Sequence, residues 1–347
     1  MRVAIDVMGG DYAPDAVLKG CVEALPLLTP EDQMVLIGPR ELIQDVLSER
    51  RIRDPRIVIE HAPDQIGMGE SPAKAVRSKP NSSIVRMAIL GSHKAETRCD
   101  AVLSAGSTGA CVTAAIMYMR RLPGVHRPGI AVTIPAFQSP IVLCDAGANP
   151  EPRATHLWQY GVMAETYARH TLKNSSPRVA LMNIGAEEGK GTGIIKDAGE
   201  LLAATPGLNF IGNIEGRDLF DGVADVIITD GFVGNTMLKM AEGLSKSLIQ
   251  ALASEIFTVD PELGLKFEPV VKQIYSKNDY HEHGGAPLLG VNGIMMIAHG
   301  SSEARTIRSA IRNTFSYARS GMNEVIQRRI AEVAHVGGLE HGAAGES

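Results

Sequence analysis

No apolar run in this sequence is long enough to cross a bilayer. The longest stretch of that character, ACVTAAIMYM over 110–119, stops at Arg120 and Arg121, well short of the roughly 20 residues a spanning helix needs. A basic excess is missing too. The 34 Lys and Arg residues face 39 Asp and Glu, for a net charge of −5, so the chain lacks the cationic surplus with which general nucleic-acid binders displace counterions. Cys21, Cys99, Cys111 and Cys144 show no C-x-x-C spacing and sit in apolar surroundings, which reads as buried, reduced thiols. The opening MRVAIDVMGGD breaks its apolar run at Asp6 and offers no small-residue cleavage site, so it is not read as a secretory signal. These absences predict a cytosolic protein that binds no nucleic acid.

Familiar catalytic fingerprints are also absent. G-x-G-x-x-G fails because Ile194 stands where a third glycine would follow Gly189 and Gly191. The Walker A pattern fails because Ile184 stands five residues before Gly189, and Lys190 is followed by Gly191 instead of Ser or Thr. No G-x-S-x-G elbow exists, so a covalent acyl-enzyme is not suggested. His281 and His283 in DYHEHGG resemble a metal pair without a third ligand and read as solvated loop histidines.

What is present is alternation. Short β-branched runs over 2–7, 34–38, 56–62, 100–106, 129–136, 140–147, 178–185, 209–214, 224–230 and 294–300 are predicted strands. Most are continuously apolar, as strands covered on both faces are. Helical patterns occupy 16–28, 40–50, 83–94, 108–121, 153–172, 192–204, 236–255, 302–319 and 322–336. The expected fold class is α/β, a mainly parallel sheet with helices on both faces. No repeat or Pro/Gly/Ser-rich linker divides the chain, so 1–336 is expected to form one continuous catalytic unit of up to two lobes. The weakly periodic segment 257–283 is its expected mobile or protruding element, and 337–347 a flexible tail.

Ligands of open parallel sheets bind beyond the carboxyl ends of the strands. Here one kind of turn recurs after the strands: MGGDYAP, SAGSTGA, DAGANPEP, NIGAEEGKGTG, TDGFVGNT and AHGSSEA. Glycine brings backbone N–H groups close to an anion, and the helix start that follows adds positive partial charge. Six such turns on one sheet edge point to a phosphate or carboxylate ligand. Within them Asp6, Gly9, Gly10, Asp11, Ser107, Thr108, Asn149, Gly189, Gly191, Asp230, Gly234, His299 and Ser301 are the candidate binding residues. Asp6, Asp11 and Asp230 each either orient a cation or cap the next turn. Lys190 adds positive charge where the helix dipole is already positive, a cost that makes sense if an anion or developing oxyanion arrives there. Asn235 sits where a cap is expected, and its amide could instead donate to a carbonyl oxygen.

The opening VAIDVMGGDYAP resembles the signature of the bacterial phosphate acyltransferases. The likeness continues in order through MGESPAKAVR (68–77), SAGSTGA (104–110), DAGAN (145–149), NIGAEEGKG (183–191), the run 210–235 and GGAPLLGVNGIMMIAHGSS (284–302). The resemblance implies the fold of phosphotransacetylases and isopropylmalate dehydrogenases, a homodimer, and no metal or organic cofactor. It implies transfer of a long-chain acyl group from acyl carrier protein to inorganic phosphate, and acyl phosphate passed to a membrane-bound glycerol-3-phosphate acyltransferase. It also implies peripheral contact with the inner face of the membrane, and it places Lys190 and Asn235 in the active site. The family usually has Asn where Ser107 stands.

A lysine turn without a magnesium ligand suits free phosphate as nucleophile better than a nucleotide. Acyl carrier proteins are acidic, so a local basic patch is expected despite the negative total. Arg120, Arg121 and Arg127 form one candidate; Arg50, Arg51 and Arg53 form the other. The rival readings are a short-chain phosphotransacetylase using coenzyme A, a non-catalytic anion-binding scaffold and, more weakly, an NAD dehydrogenase.

Overall fold

Among the described residues, the continuous apolar runs pair into a single eleven-stranded sheet. The structure, a computed structural model, describes residues 1–136, 138–277 and 284–338, without the side chains of 272–277. The strands are β1 (Arg2–Asp6), β2 (Gln33–Gly38), β3 (Ile57–His61), β4 (Ala101–Ser104), β5 (Gly129–Ile134), β6 (Ile141–Cys144), β7 (Val179–Met182), β8 (Phe210–Ile214), β9 (Val226–Ile228), β10 (Ala286–Leu289) and β11 (Met295–Ile297). The first helices are α1 (Asp15–Ala24), α2 (Arg40–Glu49), α3 (Pro72–Ser78), α4 (Ser83–Leu90), α5 (Thr108–Ala114) and α6 (Ala154–Thr171). They are followed by α7 (Gly193–Ala203), α8 (Gly231–Val259), α9 (Pro261–Lys277), α10 (Ala304–Arg319) and α11 (Met322–Glu332).

Across the sheet the order is β3-β2-β1-β4-β11-β10-β5-β6-β9-β7-β8. Seven pairings are parallel. The sheet is therefore mainly parallel, as expected. The other three lie in the middle, where β10 runs antiparallel to β11 and to β5, and β5 antiparallel to β6. They reverse the half β6-β9-β7-β8 relative to the half β3-β2-β1-β4-β11. The six glycine turns consequently do not leave one sheet edge. Three follow β1, β4 and β11, and three follow β6, β7 and β9, on oppositely directed halves. A continuous apolar run reports burial on both faces and carries no information about direction.

α3 starts within MGESPAKAVR, where no helix is expected, and two further elements differ for local reasons. β10 lies within GGAPLLG, a run too short and too closely bounded by glycine to stand out. Segment 257–283 is helical where it is described: α8 continues to Val259, and α9 follows with Pro269 inside it. Beyond its first turns α8 packs on α9 rather than on the sheet, with the Phe257 ring so close that a Cβ on Gly264 would lie 2.6 Å from it. Leu244, Leu248 and Leu252 stay exposed along α8. The single buried stripe that makes a helix visible in sequence is thus weak here. His281 and His283 lie outside the described residues, as does 339–347.

Under the sheet, Trp158 of α6 is fully buried and donates from Nε1 to Thr205 Oγ1 at 2.7 Å. α1 crosses α10 at Gly20, where a Cβ would stand 2.6 Å from Ile307 Cβ and 2.8 Å from the Ala304 carbonyl. Gly20→Ala should therefore cost about 1–3 kcal/mol of stability through overpacking. Gly199→Ala should instead stabilise by about 0.5–1 kcal/mol, because its Cβ meets nothing within 4 Å inside α7. Urea unfolding of the two variants beside the parent checks both signs.

Candidate active site

β6 ends at Asp145, whose side chain is wholly buried and organises the DAGAN turn. One carboxylate oxygen accepts the N–H groups of Ile130, Gly147 and Ala148 at 2.9, 3.1 and 3.0 Å, and the other accepts that of Asn149 at 2.7 Å. Burial pushes the carboxyl up to about 6, and the four donors pull against that shift. The first turn of α8 rests directly on this turn. A Cβ on Gly231 would lie 2.7 Å from the Asp145 carboxylate, and one on Gly234 only 2.0 Å from the Asp145 carbonyl. The two glycines of GFVGN are thus the condition for the contact.

That contact sets the neighbouring side chains. Asp230 caps α8, accepting the Val233 N–H at 2.8 Å, so of its two expected roles the capping one is seen. Asn235 is not the cap; it stands one turn inside the helix, exposed, over Gly147, whose Cβ would be 3.6 Å from that of Asn235. Asn149 turns inward and donates from Nδ2 to the Tyr160 hydroxyl at 2.8 Å.

The other half of the sheet contributes a second group. Asp6 is buried at the end of β1, accepts from Ser104 Oγ at 2.7 Å and from the Met8 N–H at 3.1 Å, and so ties the β1 and β4 turns together. Burial raises its pKa, while the hydrogen bonds from Ser83, Ser104, Met8 and Gly9 hold it down. Gly9 is confined there, since a Cβ would sit 2.6 Å from Asp6 and 2.7 Å from the Gly106 nitrogen. Gly10, at φ +114°, turns the chain so that the Asp11 N–H donates to the Gly300 carbonyl at 2.7 Å. Ser107 caps α5, accepting the Ala110 N–H at 3.4 Å.

Both groups face one cavity of about 610 Å³. From the first half come Asp11, Gly106, Thr108, His299 and Gly300; from the second come Ala146, Asn235, Lys239 and Glu242. Its apolar wall includes Ile130, Val132, Leu238, Met296 and Ile297. Lys239 and Glu242 escape a reading by turns because they lie within the helix. The signal was the spacing Asn235, Lys239, Glu242, which puts all three on one helical face. Nζ of Lys239 donates to Glu242 Oε2 at 3.1 Å and meets Nε2 of His299, whose Nδ1 lies 2.7 Å from Ser301 Oγ.

Lys190 is outside that lining. It is exposed on the loop after β7, where Asn183 Nδ2 donates to its carbonyl at 3.1 Å and its own N–H donates to the Glu187 carbonyl at 3.1 Å. Gly191 takes φ +86° there, and a Cβ would lie 2.4 Å from Asn183 Oδ1, whereas the space beside Gly189 is open. Because β9 lies between β6 and β7, the Lys190 loop leaves the sheet beside the turn that carries Asn235. The four cysteines are all buried, and burial pushes the Cys21 and Cys111 thiols up to about 12, far from nucleophilic thiolates. Among the described residues no helix is long and apolar enough to cross a membrane.

Residues 1–325 match the family described as fatty acid synthesis protein. A phosphate acyltransferase from Dictyoglomus turgidum is 40% identical over 340 residues, 97% of this chain and all of that protein. One from Clostridium perfringens is 40% identical over 314 residues, 90% of this chain and 91% of the relative. The chain belongs to the phosphate acyltransferase family. Solved phosphotransacetylases share the acyltransferase's fold: that of Streptococcus pyogenes has a TM-score of 0.61 at 17% identity, covering 92% of this chain and 94% of its own. The EutD phosphotransacetylase of Staphylococcus aureus has a TM-score of 0.57 at 15% identity with the same coverage.

A carboxyl raised to about 6 in the folded chain is still protonated at pH values where the unfolded chain, near 3.9, has released its proton. Its contribution to stability is therefore full below about pH 4 and is lost as the pH climbs through 6. Asp145→Asn should flatten that slope in unfolding free energy measured from pH 4 to 7. The variant should also be less stable throughout, because an amide nitrogen then faces backbone N–H donors.

Proposed function

We propose that the protein transfers a long-chain acyl group from acyl carrier protein to inorganic phosphate, in the cavity between the two halves of the sheet. The observation that carries this reading is the convergence there of glycine turns from both halves around the Asn235 amide, beside an apolar wall. A phosphate oxygen forms the new C–O bond to the thioester carbonyl carbon, and the C–S bond then breaks. The proton of hydrogenphosphate ends on the departing thiolate, so the products are acyl phosphate and free thiol. Phosphate is already substantially dianionic near neutral pH, so it needs positioning and desolvation more than a base. The glycine turns hold it, Thr108 and Asp11 border it, and the Asn235 amide and the Lys190 ammonium stabilise the tetrahedral oxyanion.

Carrier-protein docking is assigned to the basic loop before β5. There Arg121 and Arg127 stand exposed with Arg153, and their charges, after burial and the neighbouring His126, help to press the His156 pKa down to about 4. Arg50, Arg51 and Arg53 are exposed as well, without a comparable effect on any neighbour. The expected homodimer has a candidate face in Met240, Leu244, Leu248 and Leu252, exposed at four-residue spacing along α8. Hand-over of acyl phosphate to a membrane-bound glycerol-3-phosphate acyltransferase at the inner membrane face belongs to the same reading.

Purified protein, long-chain acyl carrier protein and phosphate should yield acyl phosphate, trapped as hydroxamate by hydroxylamine. Turnover of acetyl-coenzyme A with none of the carrier-bound substrate would favour a short-chain phosphotransacetylase. Asn235→Ala and Lys190→Ala should each lower kcat on the order of 10²–10³-fold while the fold is kept, as loss of one oxyanion donor does. Arg121→Glu with Arg127→Glu should raise the apparent KM for acyl carrier protein and reduce its salt dependence. An unchanged salt profile would remove that patch from the binding site.

A further inference from the structure

Asn235, Lys239 and Glu242 occupy one face of α8, and all three line the cavity. A lysine ammonium has three protons to donate and no lone pair with which to accept. One proton goes to Glu242 Oε2 at 3.1 Å and a second to Nε2 of His299, which reaches across from the end of β11 in the other half of the sheet. The other ring nitrogen, Nδ1, lies 2.7 Å from Ser301 Oγ. The Ser301 N–H, 3.2 Å from the same nitrogen, is the weaker contact. Among the described residues, the third proton of Lys239 has no acceptor. An ion pair that only stabilised a helix would need neither the imidazole from the far side nor a place in a cavity wall.

We propose that Lys239 is a catalytic residue of the acyl transfer, its remaining N–H joining the Asn235 amide, one helical turn away, and the Lys190 ammonium as a further donor to the oxyanion. Glu242 and His299 are its positioning residues, one along the helix and one across the cavity. The inference rests on the acyl-transfer reading. When the phosphate oxygen bonds to the carbonyl carbon, the carbonyl π pair moves onto its oxygen among these donors. Return of that pair expels the thiolate, and the phosphate proton leaves with the sulfur. The ammonium is preorganised by contacts made before substrate arrives, the condition under which such a donor lowers a barrier most.

The wild-type protein is assayed first, with acyl carrier protein thioester and inorganic phosphate. If it forms no acyl phosphate, the acyl-transfer reading falls and this inference falls with it. Given wild-type turnover, Lys239→Met should lower kcat on the order of 10²–10³-fold, with the KM for phosphate far less affected. Lys239→Cys should be equally slow and should recover on alkylation with 2-bromoethylamine, which rebuilds an ammonium at that place. The native cysteines are all buried, so modification is confined to position 239 and is verified by mass. His299→Ala should lower kcat with an unchanged KM for the acyl donor, and His299→Gln, whose amide oxygen accepts from the same ammonium, should restore most of it. Wild-type kcat in Lys239→Met, or no recovery after confirmed alkylation, overturns the inference while leaving the acyl-transfer reading intact.

Discussion

Everything about the site depends on one backbone contact: the first turn of α8 lying against the DAGAN turn with no side chain between them. The separation leaves no room for a Cβ at Gly234, and the buried Asp145 carboxylate beneath holds its own turn through four N–H donors. Helix and turn therefore cannot shift independently. The direction of α8 is set within its first four residues, and with it the placement of Asn235, Lys239 and Glu242 one and two turns further on. A rigid element placed this closely suits the proposed oxyanion donors, which must be in position before charge develops.

The second half of the site is fixed by the same means with different atoms. Asp6 under the β1 turn and Ser104 under the β4 turn are joined by a buried hydrogen bond, and Gly9 provides the close approach. Each half thus spends one buried aspartate on holding its glycine turns, neither of which lies in the cavity lining. Burial shifts both carboxyls upward, and their function is architectural. The exposed polar groups that line the cavity, Asn235 and Lys239 among them, are presented by the turns and helix so held.

Much of this was legible in the sequence. The β-branched runs mark ten of the eleven strands among the described residues, and five of the six glycine-rich turns mark chain segments that line the cavity. The motifs also carry the family. Elsewhere the physics of reading is weaker. Asp6 and Asn149 look like ligand groups because they are polar residues at strand ends, yet their side chains are spent on Ser104 and Tyr160, and nothing in a linear chain shows which way a side chain turns. Lys239 and Glu242 were hidden for the opposite reason: charged residues inside a helix usually mark its solvent face. Helix α9 was missed because it packs on α8 instead of on a core and carries no strong buried stripe.

By itself, then, the sequence determined the class of fold, the positions of the turns and the family, because burial, glycine and helix caps act over a few residues and leave their period in the chain. Only tertiary structure decided the direction of the two half-sheets: β10–β11 and β5–β6 pair locally, but the pairing that joins the halves, β10 with β5, brings together residues far apart in sequence, Leu288 with Ile130. That reversal makes the turns of opposed halves face one cavity. It is also what lets His299, at the end of one half, reach the ammonium of Lys239 on a helix that starts from the other.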